Sequence, residues 1–518
     1  MSHHIMTDWK YKPLTWIVNN VGWIQDRLMA AQFIERAAFL DSYGRYDSDH
    51  EYINFNAGVN KSLHGRVLPP VPESCPTPIG VVGAKTLPPV ESIVALFKRK
   101  SFKPNPLKSN SLFPFYAQFL THQFFRIDRE HGPKFTKTWA HGVDLTQLYG
   151  NDLITQTNLR ALKDGKMKYQ VIDGEQWPPS LKDVDVFMHN VGNLTKDKQF
   201  ALGHPFFSIM PGLFMYSTIW LREHNRVATL LKNEHPAWDD ERLFQTTRMV
   251  LIGEMIRITI EDYVQHLANY NVKLKYKPEV LFGKPFQYQN KISIEFNLMY
   301  RWHALVPDYF VIGGDNYTLN DFYGHPEIVV KHGLNTFVDG LRKTISGQIT
   351  HGNHHSLVIG VMEGIVEYGR DLRFQSFNNY RRYFDLPPYK SFEELVGEDN
   401  PELAAELKRL YGDDIEAMEL IPAFYLEKRR EHGMFGEMIV ELGAPASITG
   451  LMSNVINSPK YWKPSTFGGD VGFNIIKTAT LQKLFCLNMK NEKPCLDDIL
   501  FTVPEGYADP SKKCLESK

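Results

Sequence analysis

Two long stretches, Leu213 to Leu231 and Leu243 to Tyr270, repeat apolar residues at helical spacing, so the chain must build a core deep enough to cover helices of many turns. Strand-like alternation is confined to short pieces such as Tyr169 to Glu175. The fold class is therefore mainly α, with short β hairpins. A chain of 518 residues could hold two or three ordinary domains, but its 43% hydrophobic and 13% aromatic content suits one large helical domain. It has no internal repeat, low-complexity tract or long charged block. Its net charge of −1 offers no footprint for nucleic acid, and no stretch is long and apolar enough to span a bilayer.

Two motifs carry chemistry. Tyr300-Arg301-Trp302-His303 places a possible radical donor and a possible metal ligand one helical turn apart, where they would share a face. In the aromatic segment from Phe115 to Phe125, Gln118 and His122 stand at i, i+4 and can point into one pocket. Together the motifs read as two sides of a haem. A haem peroxidase needs one imidazole on the iron, which suits His303. On the open side, an imidazole must take a proton from a hydroperoxide and return it to the departing oxygen, which suits His122. Gln118 can hydrogen-bond the polarised peroxide without adding charge. Tyr300 could lose an electron and a proton to the oxidised haem. A single histidine among aromatics is more often a hydrogen-bonded core residue than a ligand, so spacing alone does not carry the assignment.

Family-specific segments do. Leu68-Pro69-Pro70-Val71-Pro72, Trp220-Leu221-Arg222-Glu223-His224-Asn225-Arg226, Ile260-Glu261-Asp262-Tyr263-Val264-Gln265-His266 and Tyr461-Trp462-Lys463-Pro464-Ser465-Thr466-Phe467-Gly468-Gly469 resemble the prostaglandin endoperoxide synthases, the cyclooxygenases of the animal haem peroxidase superfamily. The resemblance runs from Ile17 to about Phe501. It implies a single-domain animal haem peroxidase fold and haem b as cofactor, with His303 the proximal iron ligand, His122 the distal histidine and Gln118 its partner. Tyr300 resembles the tyrosine whose radical abstracts hydrogen from a bis-allylic carbon. Ser447 matches the channel serine that aspirin acetylates in the family. Tyr270 and Glu441 match the channel mouth, and Val264, Trp302, Val440 and Leu451 match its lining. A homodimer is implied.

Several positions depart from the family. Aligning Asn19-Asn20 puts Gln25 where an arginine binds the fatty-acid carboxylate, and an amide lacks the charge and planar fork of that arginine. Glu441 then loses its usual partner and is expected to be unpaired, costly or protonated. Arg27 and Arg430 are the candidates to compensate, with Arg430 first as an alternative carboxylate anchor. Ala446 replaces a bulkier aromatic residue, and Arg301 replaces a histidine. Both bear on the product distribution.

Residues 1–36 read as an N-terminal amphipathic region, the remnant of a monotopic membrane-binding domain, and 37–518 as the catalytic domain. Ile17, Val21, Ile24 and Leu28 follow helical spacing with Trp16 and Trp23 nearby, which suggests one helix at the channel entrance with weak peripheral membrane contact. The start, Met1-Ser2-His3-His4, has no apolar secretory core, so the cytosol or a peripheral membrane site is favoured over the endoplasmic reticulum lumen. The resemblance pairs Cys486 with Cys495 and leaves Cys75 free or, less favoured, bonded to Cys514. Sequons begin at Asn60, Asn193 and Asn316. His351, His354 and His355 show no ligand spacing and are assigned to solvent, and Gly468-Gly469 to a turn.

The leading expectation is a bifunctional enzyme. It would add two molecules of dioxygen to a C20 polyunsaturated fatty acid, by resemblance arachidonate, to give prostaglandin G, then reduce that hydroperoxide to prostaglandin H. The second reading is a fatty-acid dioxygenase or haem peroxidase that forms monohydroperoxides without cyclisation. The third is a non-catalytic haem-binding or adhesive protein, disfavoured because Gln118, His122, Tyr300 and His303 are all present.

Overall fold

The long apolar stretches become the helices Pro211–Glu234 and Asp240–Ile258 of a computed structural model that describes residues 3–39, 64–75, 77, 79, 86–127, 132, 142–191, 194–288, 291–489 and 495–505. Pro211 starts the first helix at a position where its missing N–H is not needed. Asp239 caps the second, its carboxylate accepting from the Arg242 amide at 2.8 Å. The two helices pack against each other and are buried nearly all round, as Phe214, Trp220, Val250 and Ile252 show. Even Arg248 is enclosed. Its Nε donates to the Asp144 carbonyl at 2.8 Å, so the buried guanidinium is hydrogen-bonded.

The second stretch does not stay α-helical. Residues Thr259–Val264 form a π-helical segment before a last short helix, Gln265–Ala268. Such a segment re-aims the side chains beyond it, and here it carries Tyr263 and Val264.

The described β structure is two antiparallel hairpins, as the sequence suggested. Gln170–Ile172 pairs with Glu175–Trp177 across Asp173-Gly174, and Tyr309–Ile312 pairs with Asp315–Thr318 across Gly313-Gly314. Both turns need two consecutive positive φ angles, which these residues supply.

At the N-terminus the structure corrects the single expected helix. Val21 is extended and divides Lys12–Asn20 from Gly22–Ala37. Trp9, Trp16 and Trp23 are each more than 60% exposed, while Val18 is buried. Gly22–Ala37 packs along the helix Glu437–Met452, which later forms the opposite wall of a cavity. No described helix is long and apolar enough to cross a membrane. Cys486 and Cys495 are disulfide-bonded, and Cys75 is a half-buried free thiol. Cys514 and the sequon residues Asn60 and Asn193 lie outside the described residues, whereas Asn316 is exposed on a hairpin.

Candidate active site

Two cavities meet at one aromatic pair. The first, about 860 Å³, takes Gln118 and His122 from the helix Leu112–Thr121 and its C-terminal cap. It takes His303 from the segment after the helix Ile294–Met299. The second, about 730 Å³, is bounded by Gly22–Ala37, the Val264–Leu274 region and Glu437–Met452. Tyr300 and Trp302 line both.

In the first cavity the i, i+4 reading holds. The His122 ring nitrogen Nδ1 lies 2.6 Å from the Gln118 carbonyl, which can only accept, so Nδ1 carries the proton and Nε2 is left as a base. Burial, aided by the positive charge of Arg301, pushes His122 down to about 3, so it is neutral at physiological pH. Burial likewise holds His303 at about 4, again with Arg301 adding to the effect. The expected helical turn joining Tyr300 to His303 is not formed. The helix ends at Met299, Tyr300 is its cap, and His303 begins a separate 3₁₀ turn, His303–Leu305. The two side chains reach the same cavity through a break in the backbone.

Tyr300 is flanked by aromatic rings. It stacks on Trp302 with ring centroids 3.9 Å apart, and Phe125 and Phe296 close its flanks at 5.6 and 5.4 Å. Its hydroxyl is 2.7 Å from that of Tyr263, which the π-helical segment aims inward. Burial pushes both phenols above their ordinary range. Tyr300 is therefore a neutral phenol with a single defined hydrogen-bond partner.

The second cavity gathers every expected channel residue: Gln25, Val264, Tyr270, Trp302, Arg430, Val440, Glu441, Ser447 and Leu451. Four of these, Val440, Glu441, Ser447 and Leu451, come from one helix. Val440, Ala444, Ser447 and Leu451 recur at three- and four-residue spacing, so one face of Glu437–Met452 forms a wall. Ala446 is buried off that face and does not line the cavity. Arg301 lines the other cavity, with its Nη2 2.5 Å from the Asn297 side-chain oxygen.

Two expectations about charge are corrected, those for Glu441 and Arg27. Glu441 is not unpaired, because Arg36 and Arg430 both bond its carboxylate, the latter at 2.6 Å. Burial alone would raise its pKa, but the hydrogen bonds from the two arginines outweigh that and hold it below the ordinary glutamate range. Gln25 lines the cavity but is almost wholly enclosed, and its Nε2 donates to the Lys273 carbonyl at 2.9 Å. Arg27 lies over the Trp23 ring and borders a separate outer cleft, so it does not compensate. His354 also departs from its expected exposure. It is buried edge-on to Phe97 and Tyr425, yet no described group of three or more His, Cys, Asp or Glu could hold a metal ion.

Arg36, Tyr263, His204 and the glycines 360 and 364 had not been singled out from the sequence. His204 faces His122 with ring centroids 4.9 Å apart. Gly360 and Gly364 stand one turn apart on the helix Ile359–Asp371, both lining the first cavity, and a Cβ on either would meet nothing within 4 Å. A glycine pair at i, i+4 was the one readable signal among these.

The residues fit a haem. The cavity offers a bare helical wall at Gly360 and Gly364 for a planar group and a neutral imidazole at His303. Nδ1 of that imidazole is a buried polar atom with no hydrogen-bond partner, an orphan of the kind a bound group accounts for. His122 and Gln118 line the same space.

Comparison with known proteins defines the class. The animal haem peroxidase family matches residues 131–499, and the chain belongs to that family. Its relatives within the family include prostaglandin G/H synthases. It is 50% identical to prostaglandin G/H synthase 2 of Gallus gallus over 94% of this chain and 80% of that one, and 48% identical to prostaglandin G/H synthase 1 of Rattus norvegicus over 95% and 81%. Similar solved structures share the fold at lower identity. Fatty acid alpha-dioxygenase from Oryza sativa has a TM-score of 0.69 at 16% identity, covering 90% of each chain. Peroxidase A from Dictyostelium discoideum has a TM-score of 0.67 at 17% identity, covering 87% of this chain and 98% of that one.

Proposed function

We propose that Tyr300 couples two reactions in a haem-dependent fatty-acid oxygenase and peroxidase of the prostaglandin G/H synthase type. The substrates are a polyunsaturated fatty acid and dioxygen, with arachidonate the expected acid, and the cofactor is haem b held by His303. The observation that carries this reading is that Tyr300 and Trp302 line both cavities, so one phenol faces the peroxidase residues and the apolar channel at once.

When bound, haem supplies the two-electron reduction of a hydroperoxide and the oxidising equivalent that Tyr300 fills. His122 accepts the hydroperoxide proton at Nε2 and returns it to the departing oxygen, a role that needs the neutral imidazole its burial maintains. The Gln118 amide donates to the polarised oxygen. Tyr300, fixed by Tyr263 and its aromatic cage, abstracts a hydrogen atom from the bis-allylic carbon of the acid in the channel. Ser447, Val440 and Leu451 hold the acyl chain against it. Met6, Val18, Gln25 and Arg36 of the N-terminal region line that channel, and the exposed tryptophans Trp9, Trp16 and Trp23 suit peripheral contact with a lipid surface from which the acid would enter. A homodimer is expected from the same family reading.

The test is to incubate haem-reconstituted protein and its Tyr300→Phe variant with arachidonate in air, and to identify products by chiral chromatography and mass spectrometry. Prostaglandins from the parent alone, with peroxidase activity in both, is the expected result. Monohydroperoxides alone would replace it with the non-cyclising dioxygenase reading.

A further inference from the structure

We infer that Arg36, assisted by Arg430, is the carboxylate anchor of the fatty-acid channel, at a place on the entrance helix three turns from Gln25. The inference rests on the oxygenase reading of the second cavity. A fatty acid brings one negative charge into a mainly apolar space, and that charge needs a cation or a protonation to be held there. Gln25 provides neither, and its amide is committed to the Lys273 carbonyl.

The charged groups on the cavity wall form a cluster around Glu441. Arg36 and Arg430 both bond that single carboxylate, so two positive charges meet one negative charge. Arg430 has a second acid at 3.9 Å in Glu437, which is itself bonded to Arg381 at 2.9 Å, and Arg381 also holds Glu427 at 2.7 Å. Arg430 thus has two acids, at 2.6 and 3.9 Å, whereas Arg36 is paired with Glu441 alone, so of the two arginines Arg36 is the less neutralised. Arg36 touches Glu441 through one Nη, which leaves Nε and the second Nη of its planar fork for another carboxylate. Its side chain is 27% exposed, against 12% for Glu441, so a ligand can reach it from the entrance.

Helix geometry explains how the cation can move in sequence and remain on the channel. Eleven residues separate Gln25 from Arg36, just over three turns, and Met29, Gln32 and Phe33 between them line the same cavity. The shift along the helix is about 16 Å at 1.5 Å per residue.

The experiment compares arachidonate with its methyl ester on haem-reconstituted parent, Arg36→Gln, Arg430→Gln and Gln25→Ala proteins, with turnover of hydrogen peroxide reporting that each is folded. Arg36→Gln is expected to raise the KM ratio of acid to ester by about tenfold or more, the loss of a charge-assisted contact. An unchanged ratio in Arg36→Gln, or a collapse of acid preference in Gln25→Ala or Arg430→Gln alone, overturns the assignment. Should Arg36→Gln lack peroxide turnover, Glu441→Gln decides. It removes the internal competitor for Arg36, so acid preference should strengthen, and a fall or no change counts against the anchor. Binding is also read by displacement of a fluorescent polyenoic acid and its ester. A parent that oxygenates neither substrate defeats the oxygenase reading, while the same displacement ratio still decides the role of Arg36.

Discussion

The hydroxyl pair Tyr300–Tyr263 gives the most direct quantitative test of the shared-residue arrangement. Replacing Tyr300 with Phe keeps the ring that stacks on Trp302 and removes one oxygen. It also leaves the Tyr263 hydroxyl buried with its one described side-chain partner gone. An unsatisfied buried hydroxyl costs about 1–3 kcal/mol, so thermal unfolding of the haem-loaded protein should begin lower by roughly 1–3 °C. Replacing Tyr263 alone strands the Tyr300 hydroxyl and should cost a similar amount. The double Phe variant strands neither, so its loss should be smaller than the sum of the single losses by about 1 kcal/mol. Oxygenation separates the two residues where stability does not. Tyr300→Phe should abolish it, and Tyr263→Phe should only slow it, because only Tyr300 lines both cavities. Additive destabilisation would refute the hydrogen bond as the coupling. Full oxygenation by Tyr300→Phe would refute the radical site.

The other predictions use different parts of the molecule. Gly364→Leu should keep or slightly raise the stability of the helix Ile359–Asp371, since leaving glycine gains about 1 kcal/mol in a helix, yet weaken haem uptake by filling the bare wall. Titration of the Soret band checks this, and parental uptake would count against that wall as the haem face. His122→Ala should lower peroxidase turnover by roughly 10²–10⁴-fold while haem binding through His303 persists, read by stopped-flow with hydrogen peroxide. Ser447→Met should block oxygenation and spare peroxide turnover, because Ser447 lines only the second cavity, and equal loss of both would contradict the separation. His224 is held at about 3, first by burial, while its ring bonds the Tyr149 hydroxyl and the Gly165 carbonyl. The unfolded chain therefore binds the extra proton between about pH 3 and 6.5, and stability rises with pH across that window. Between pH 6.5 and 5 this one group costs about 2 kcal/mol, and His224→Asn should flatten the measured slope by one proton.

Legibility followed the range of the interactions. Gln118 and His122 were placed correctly because a helix fixes i, i+4 neighbours without help from the rest of the chain. The channel face of Glu437–Met452 was recoverable for the same reason, since its spacing survives even with Pro445 inside the helix. Tyr300 and His303 were matched to the right cavity by the wrong local structure. Three-residue spacing implies a shared face only if the helix continues, and nothing in the segment itself shows that it ends at Met299. The division at Val21 was missed because apolar spacing on both sides of it fits one helix equally well.

The charge at the channel mouth shows what positional alignment cannot carry. Matching Asn19-Asn20 assigns Gln25 the family's arginine position and leaves Glu441 apparently alone. A buried carboxylate has no low-energy state without a partner or a proton, so the fold must meet that requirement from whichever residue the tertiary structure brings near. Arg36 does so from 405 positions away, on the same helix face as Gln25. The requirement belongs to Glu441 rather than to a numbered arginine. Once Glu441 is retained in an enclosed mouth, a cation on any channel-facing turn of Gly22–Ala37 satisfies it, and position 25 is released to a neutral residue. Reciprocally, Arg36→Gln should raise the Glu441 pKa by leaving Arg430 as its one remaining cation, whereas Gln25→Ala should not move it. Infrared difference spectroscopy across a pH titration, with Glu441→Gln to identify the carboxyl band, measures both shifts. A Glu441 band unmoved by Arg36→Gln would mean that Arg430 alone meets the requirement.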